Sequence, residues 1–204
     1  RDELRDAAKK NIAKLKGLIE SRDSVLPKLQ AELDQFAAKL RDTMNQVHNR
    51  GAAFPGAQSL TGSRAFTEPA TQKIKLDPTA GADDVTIGLF DASGAQSAIT
   101  TLRTLIGGGW VDINTVASSV QTWLQANGAA TATVAVSATG KLALNLNQPS
   151  LSLVLRDQTA TANGSTHQDA EIGFDKNNDG TTDETVYGLS NFLGLNDFFV
   201  DNLA

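Results

Sequence analysis

Leu26, Leu29, Leu33, Phe36, Leu40 and Val47 recur in alternating three- and four-residue steps, with Thr43 in register and Met44 beside it. That spacing puts them on one face of a helix. Gly51, directly after Arg50, is a C-terminal stop signal, so the pattern predicts a helix of about 25 residues, roughly 37 Å long at the α-helical rise. Leu4, Ala8, Leu15 and Leu18 carry helical spacing back toward the N-terminus, with Lys and Asp between them. Gly17 weakens such a helix by about 1 kcal/mol relative to Ala, and Pro27 suits only a first turn. A break is therefore expected near residues 20–26, with Ser21 or Asp23 capping the second helix. A long helix with a single apolar stripe has to hide that stripe against another helix. Either residues 1–20 fold back as a hairpin, or the arm belongs to a rod-like bundle with further helices.

Residues 51–72 hold Gly51, Pro55, Gly56, Gly62 and Pro69 among Ser and Thr, and read as a linker. Period-two alternation follows. Residues 72–76 and 84–90 read as strands, with a turn at 91–94, and residues 98–106 as a third strand ended by Gly107, Gly108 and Gly109. Residues 112–127 return to helical spacing. Asp112 or Asn114 can cap that helix, Ile113, Val116, Val120 and Leu124 form its buried face, and Trp123 reads as core beside them. Residues 131–136 and 141–146 alternate cleanly around a turn at 137–140, the strongest hairpin signal in the chain. A strand at 151–155, a polar loop at 158–168, a strand pair at 170–174 and 185–187, and a short apolar helix at 189–195 complete the series. The fold class is α+β: a helical arm at 1–60, a β-rich domain with one helix at 61–188, and a return segment at 189–204.

Charge divides along the same line. Residues 1–50 carry eleven Lys/Arg against eight Asp/Glu, and the remainder seven against fifteen. Mixed signs on the helical arm describe a solvated face, and nothing resembles the basic surface of a nucleic-acid binder. The chain has no cysteine, which excludes disulfides, thiolate metal sites and Cys nucleophiles. No stretch has the roughly 20 apolar residues of a membrane span.

Catalytic patterns are not found. His48 sits in the last turn of the long helix, where a cation suits the helix dipole, and His167 lies in the polar loop. Neither has neighbours that make a triad or a ligand set. The triple glycine lacks the Lys-Ser/Thr of a phosphate loop. One segment bears on metals: Asp175, Asn177, Asp179 and Asp183, with Gly180, follow the first half of a calcium loop, whose oxygens at positions 1, 3, 5 and 9 converge on one cation. The bidentate Glu of position 12 is replaced by Val186, and the flanks read as strands, so an Asn/Asp-rich hairpin turn is the stronger reading. No catalytic, cofactor or metal residue is assigned. The residues assigned a role are the packing stripe Leu26, Leu29, Leu33, Phe36, Leu40 and Val47.

The run Gly17-Leu18, Arg22-Asp23, Leu26-Pro27, Gln30, Leu33-Asp34 and Ala37, closing on Asn45, His48 and Gly51, resembles the flagellar hook-associated protein 1 family, subunits of the hook–filament junction. Gly194-Leu195-Asn196-Asp197-Phe198-Phe199 resembles the segment by which such proteins return from the variable outer region to the conserved core. The resemblance implies a structural, non-enzymatic subunit without cofactor. It implies export through the flagellar type III channel without a cleaved signal peptide, and an extracellular place in the flagellum. Its partners would be the hook, the second junction protein and, before assembly, an export chaperone, with no nucleic acid and no membrane. The family's heptad-bearing polymerising ends are not seen here, so the chain reads as an internal piece and is expected to be monomeric. The competing readings are a calcium-assisted adhesion or phage-tail-like appendage module, carried by the Asp175–Asp183 segment, and a glycan hydrolase, for which no carboxylate pair stands out.

Overall fold

The computed structural model describes residues 1–51, 56–77, 83–158 and 169–200. Two compact units divide between Thr43 and Met44. The expected polar loop at 158–168, and His167 with it, falls outside the described residues apart from Gln158, which closes a strand.

The first unit is helical throughout. Helix α1 (Asp2–Glu20) runs through a π-helical turn at Ser21–Val25 into helix α2 (Leu26–Asn49). The expected break, and with it the hairpin form of the arm, is not formed. Ser21 is no cap: its backbone is right-handed helical, and its N–H is shared between the carbonyls of Gly17 and Leu18. The cause lies in Pro27. An α-turn would press its ring on the carbonyl four residues back and waste that acceptor. Instead Leu26 N–H donates five residues back to Ser21 O. The wider π-turn gives the ring room, which is how helices commonly absorb such a residue without stopping.

The second unit begins with the last turns of α2 and, among the described residues, holds three antiparallel sheets. Their orders are β1-β7-β6, β10-β9-β2-β5 and β4-β3-β8, built from β1 (Ser59–Ala65), β2 (Lys73–Leu76), β3 (Asp84–Asp91), β4 (Gln96–Thr101), β5 (Val111–Asp112), β6 (Thr133–Val136), β7 (Lys141–Asn145), β8 (Leu151–Gln158), β9 (Glu171–Asp175) and β10 (Glu184–Tyr187). The predicted hairpin is present as β6 and β7, with Val134 opposite Leu144 and Val136 opposite Leu142. Helix α4 (Ile113–Ala126) is capped by Asp112, whose carboxylate accepts from Thr115 N–H, and buries Ile113, Val116, Val120 and Leu124. Trp123 is half-buried against this core, as expected.

Two elements depart from expectation. The third strand ends at Thr101, whose hydroxyl accepts from Thr104 N–H to start helix α3 (Leu102–Ile106). Leu102, Leu105 and Ile106 repeat at three and four residues, and that local helical period with a Thr cap outweighs strand propensity. The expected linker contains strand β1, paired with β7. Gly62 there reads as a loop residue, yet it marks a close approach: a Cβ at this position would lie 2.5 Å from Leu193 O. Phe66, Phe174 and Phe192 meet at ring-centroid distances of 5.4–6.0 Å beneath these strands. The Arg64 guanidinium lies over Phe192 at 4.4 Å and pairs with Glu184 at 2.7 Å.

Candidate packing site at the end of the long helix

The chain returns to α2 after helix α5 (Leu189–Leu193), which Gly194 terminates in a left-handed conformation at φ 65°. That turn sends residues 196–199 along the last turns of α2. Asn45, His48 and Asn49 stand at helical spacing of three and four, so all three present to one side. Asn45 makes a reciprocal pair with one residue: its Nδ2 donates to Phe199 O and its Oδ1 accepts from Phe199 N–H, both at 2.8 Å. His48 does the same for Asn196, with Nδ1 2.6 Å from Asn196 O and the His48 carbonyl accepting from Asn196 Nδ2 at 3.2 Å. The imidazole also lies 5.4 Å from the Phe198 ring.

Asn49 is the hub. Its Oδ1 accepts from Ser190 Oγ at 2.9 Å and Asn196 N–H at 3.0 Å, while its Nδ2 donates to Asn45 O at 2.9 Å and Asp197 Oδ1 at 2.7 Å. Asn45 and Asn49 are the buried residues of α2. A buried amide is tolerated only when its donors and acceptors are matched, and Asn49 matches all four. The other oxygen of Asp197 accepts from Ser63 Oγ, and Ser63 N–H donates to Gly194 O at 3.0 Å. Strand β1 is thereby stitched to the same turn.

Arg50 extends the network into the β-rich core. Its guanidinium makes a bidentate contact with Asp169 at 2.7 Å, and Gln46 Nε2 adds a bond to the same carboxylate. The Asp169 side chain is 3% exposed, so the charge is removed from water and depends on its partners. Asp157 stands nearby, accepting from Leu189 N–H at 3.0 Å. Burial, above all, pushes its carboxyl up to about 6; bonds from the Leu189 and Ala170 amides oppose this, and the charges of Asp169 and Asp83 reinforce it. The sign follows directly. Between about 6 and the ordinary carboxylate range near 4, the folded chain binds a proton that the unfolded chain does not, so this group makes the fold more stable as pH falls through that window. In thermal melts across the window, the wild type should gain stability relative to Asp157→Asn as pH falls. A slope unchanged in that variant would contradict the assignment.

The packing stripe is placed by the structure on a solvated surface. Leu26, Leu29, Leu33, Phe36, Leu40 and Val47 are all exposed, between 49% and 66%, and α1 has no buried residue. The calcium-like segment closes on itself. Asp175 is fully buried, its Oδ1 accepting from the N–H groups of Asn177, Asn178 and Asp179 and its Oδ2 from Gly180 N–H. Asp183 Oδ2 accepts from Lys176 N–H. The oxygens that would face a cation are turned to backbone amides, and among the described residues no group of three or more His, Cys, Asp or Glu is placed to hold a metal ion. Gly107, of the triple glycine, ends α3 with φ 78°. No helix among the described residues is long and apolar enough to cross a membrane.

The two segments whose residue patterns stand out in the sequence, 45–51 and 194–199, are thus brought into contact. Residues 3–66 match the sequence model of the flagellar hook-associated protein FlgK helical domain, a span that takes in the long helix and all of β1. Comparison with curated proteins and with solved structures gave no match.

Proposed function

We propose that this chain, which carries a FlgK-type hook-associated helical domain over residues 3–66, is a structural subunit of the bacterial flagellum at the hook–filament junction that acts by packing and performs no catalysis. The carrying observation is the stripe. Thirteen large apolar side chains of the helical run, from Leu4 to Val47, are exposed, and an exposed apolar row of this kind marks an interaction surface. In this reading residues 1–60 belong to a rod-like inner layer, residues 61–188 project outward, and residues 189–204 lead back to the helical core. Leu26, Leu29, Leu33, Phe36, Leu40 and Val47 are the interface. The partners are the neighbouring axial proteins of the hook and of the second junction layer, after export by the flagellar route with a chaperone and without a cleaved signal. The chain by itself is a monomer.

Leu33→Asp together with Phe36→Asp tests this. Both positions are exposed, so the melt of the purified chain should move by less than about 0.5 kcal/mol. A strain whose only copy carries both changes should still export the protein but fail to retain it in isolated flagella. Normal retention would sink the packing role of the stripe.

A further inference from the structure

Asn177, Asn178, Asp179 and Gly180 follow one another in the turn between β9 and β10. The first three share one route of spontaneous damage. The backbone nitrogen of the next residue loses its proton and attacks the side-chain Cγ. A C–N bond forms, ammonia leaves from Asn or water from Asp, and a five-membered succinimide results. Water then opens either carbonyl, giving aspartate or isoaspartate. The attacking nitrogens here are those of Asn178, Asp179 and Gly180.

All three are donated to one carboxylate. Asp175 Oδ1 accepts from Asn178 N–H at 2.6 Å and Asp179 N–H at 3.3 Å, and Oδ2 accepts from Gly180 N–H at 2.8 Å. Asp175 is 0% exposed, so its charge is little screened. Deprotonating any of these amides would set a second negative charge beside that buried carboxylate, which like-charge repulsion disfavours. The electrophiles are restrained too. Asp179 Oδ1 accepts from Thr181 N–H at 2.8 Å and from its hydroxyl at 2.5 Å. The Thr181 hydroxyl, first among its partners, holds the Asp179 carboxyl below its usual range, which keeps it in the ionised form that nucleophiles attack poorly. Asn177 Oδ1 accepts from Asp179 N–H at 3.1 Å.

We propose that residues 177–180 are a latent deamidation and isomerisation site of this protein, and that Asp175 is the positioning residue that keeps it silent by engaging the three attacking amides. The inference is independent of the flagellar reading.

Ageing of the purified chain in warm buffer, mildly alkaline for Asn177 and Asn178 and mildly acidic for Asp179, with peptide mapping and isoaspartate quantification, tests it against a synthetic peptide of residues 170–187. The folded chain should modify at 177–179 at least about tenfold more slowly than the peptide, the protection expected when attack requires breaking a bond to a charged acceptor. Asp175→Ala should bring the rate close to that of the peptide. Asn127, which also precedes a glycine, should keep its wild-type rate in the same sample. Asn49→Ala, which loosens the fold elsewhere, should leave the loop slow. Equal rates in wild type and peptide would overturn the proposal, and so would an Asp175→Ala chain in which Asn127 accelerates as much as the loop.

Discussion

Replacing Arg50 with methionine is expected to cost about 3–5 kcal/mol, the range for stranding one partner of a buried ion pair. For a chain of this size that is a fall in melting temperature on the order of 10 °C. The reason is asymmetry of exposure. Arg50 is 40% exposed and can be solvated, whereas Asp169 is 3% exposed and cannot. Methionine keeps the packing of the stem and removes the guanidinium contacts, leaving the Asp169 carboxylate without the Arg50 charge and beside the like charge of Asp157. Asp169→Leu in the same background should recover much of the loss, because an apolar pair of similar volume replaces a buried charge pair at little cost. A single-variant loss below about 0.5 kcal/mol would mean that the bridge behaves as a solvated surface pair. The measurement is a urea or thermal melt of the wild type and both variants.

The second large effect is expected at Asp175. Asp175→Ala removes an acceptor from four backbone N–H groups, of which Asp179 N–H keeps Asn177 Oδ1. Bonds to a charged acceptor contribute about 1.5–3 kcal/mol each, and water can replace part of them because Asn177 to Gly180 are exposed. A net loss of about 3 kcal/mol follows, with local exchange of those amides rising most. Asp175→Asn should lose about half as much, since one carbonyl oxygen remains. A hydrogen-exchange map in which these amides exchange equally fast in wild type and variant would show that the carboxylate does not organise the turn.

How much of this could be read beforehand depended on whether a residue's pattern or its partner decides its conformation. Helix α4 was legible because Asp112, Ile113, Val116, Val120 and Leu124 state cap and buried face in one window. The β6–β7 hairpin was legible because alternation and turn agree. Strand β1 was not, since Gly62 is there for the close approach of Leu193 O, a contact distant in sequence. The continuity of α1 and α2 was hidden because Pro27 normally ends a helix, and only the π-turn before it reveals the accommodation. At the end of the long helix, Asn45, His48 and Gly51 stood out as a pattern, yet Asn49 and Arg50 carried no signal of their own. Two asparagines four residues apart beside an apolar stripe were the available clue, because amides at that spacing on a half-buried face have to find partners.

The reciprocal pairing of Asn45 with Phe199 and of His48 with Asn196 sets a route for mechanical load. The polypeptide leaves the last turn of α2 after Asn49 and is back beside that turn at Asn196, so the strands between them lie within a loop closed by these bonds. Tension between the last turns of α2 and Phe199 would load the bonds of Asn45, His48 and Asn49 directly and in shear.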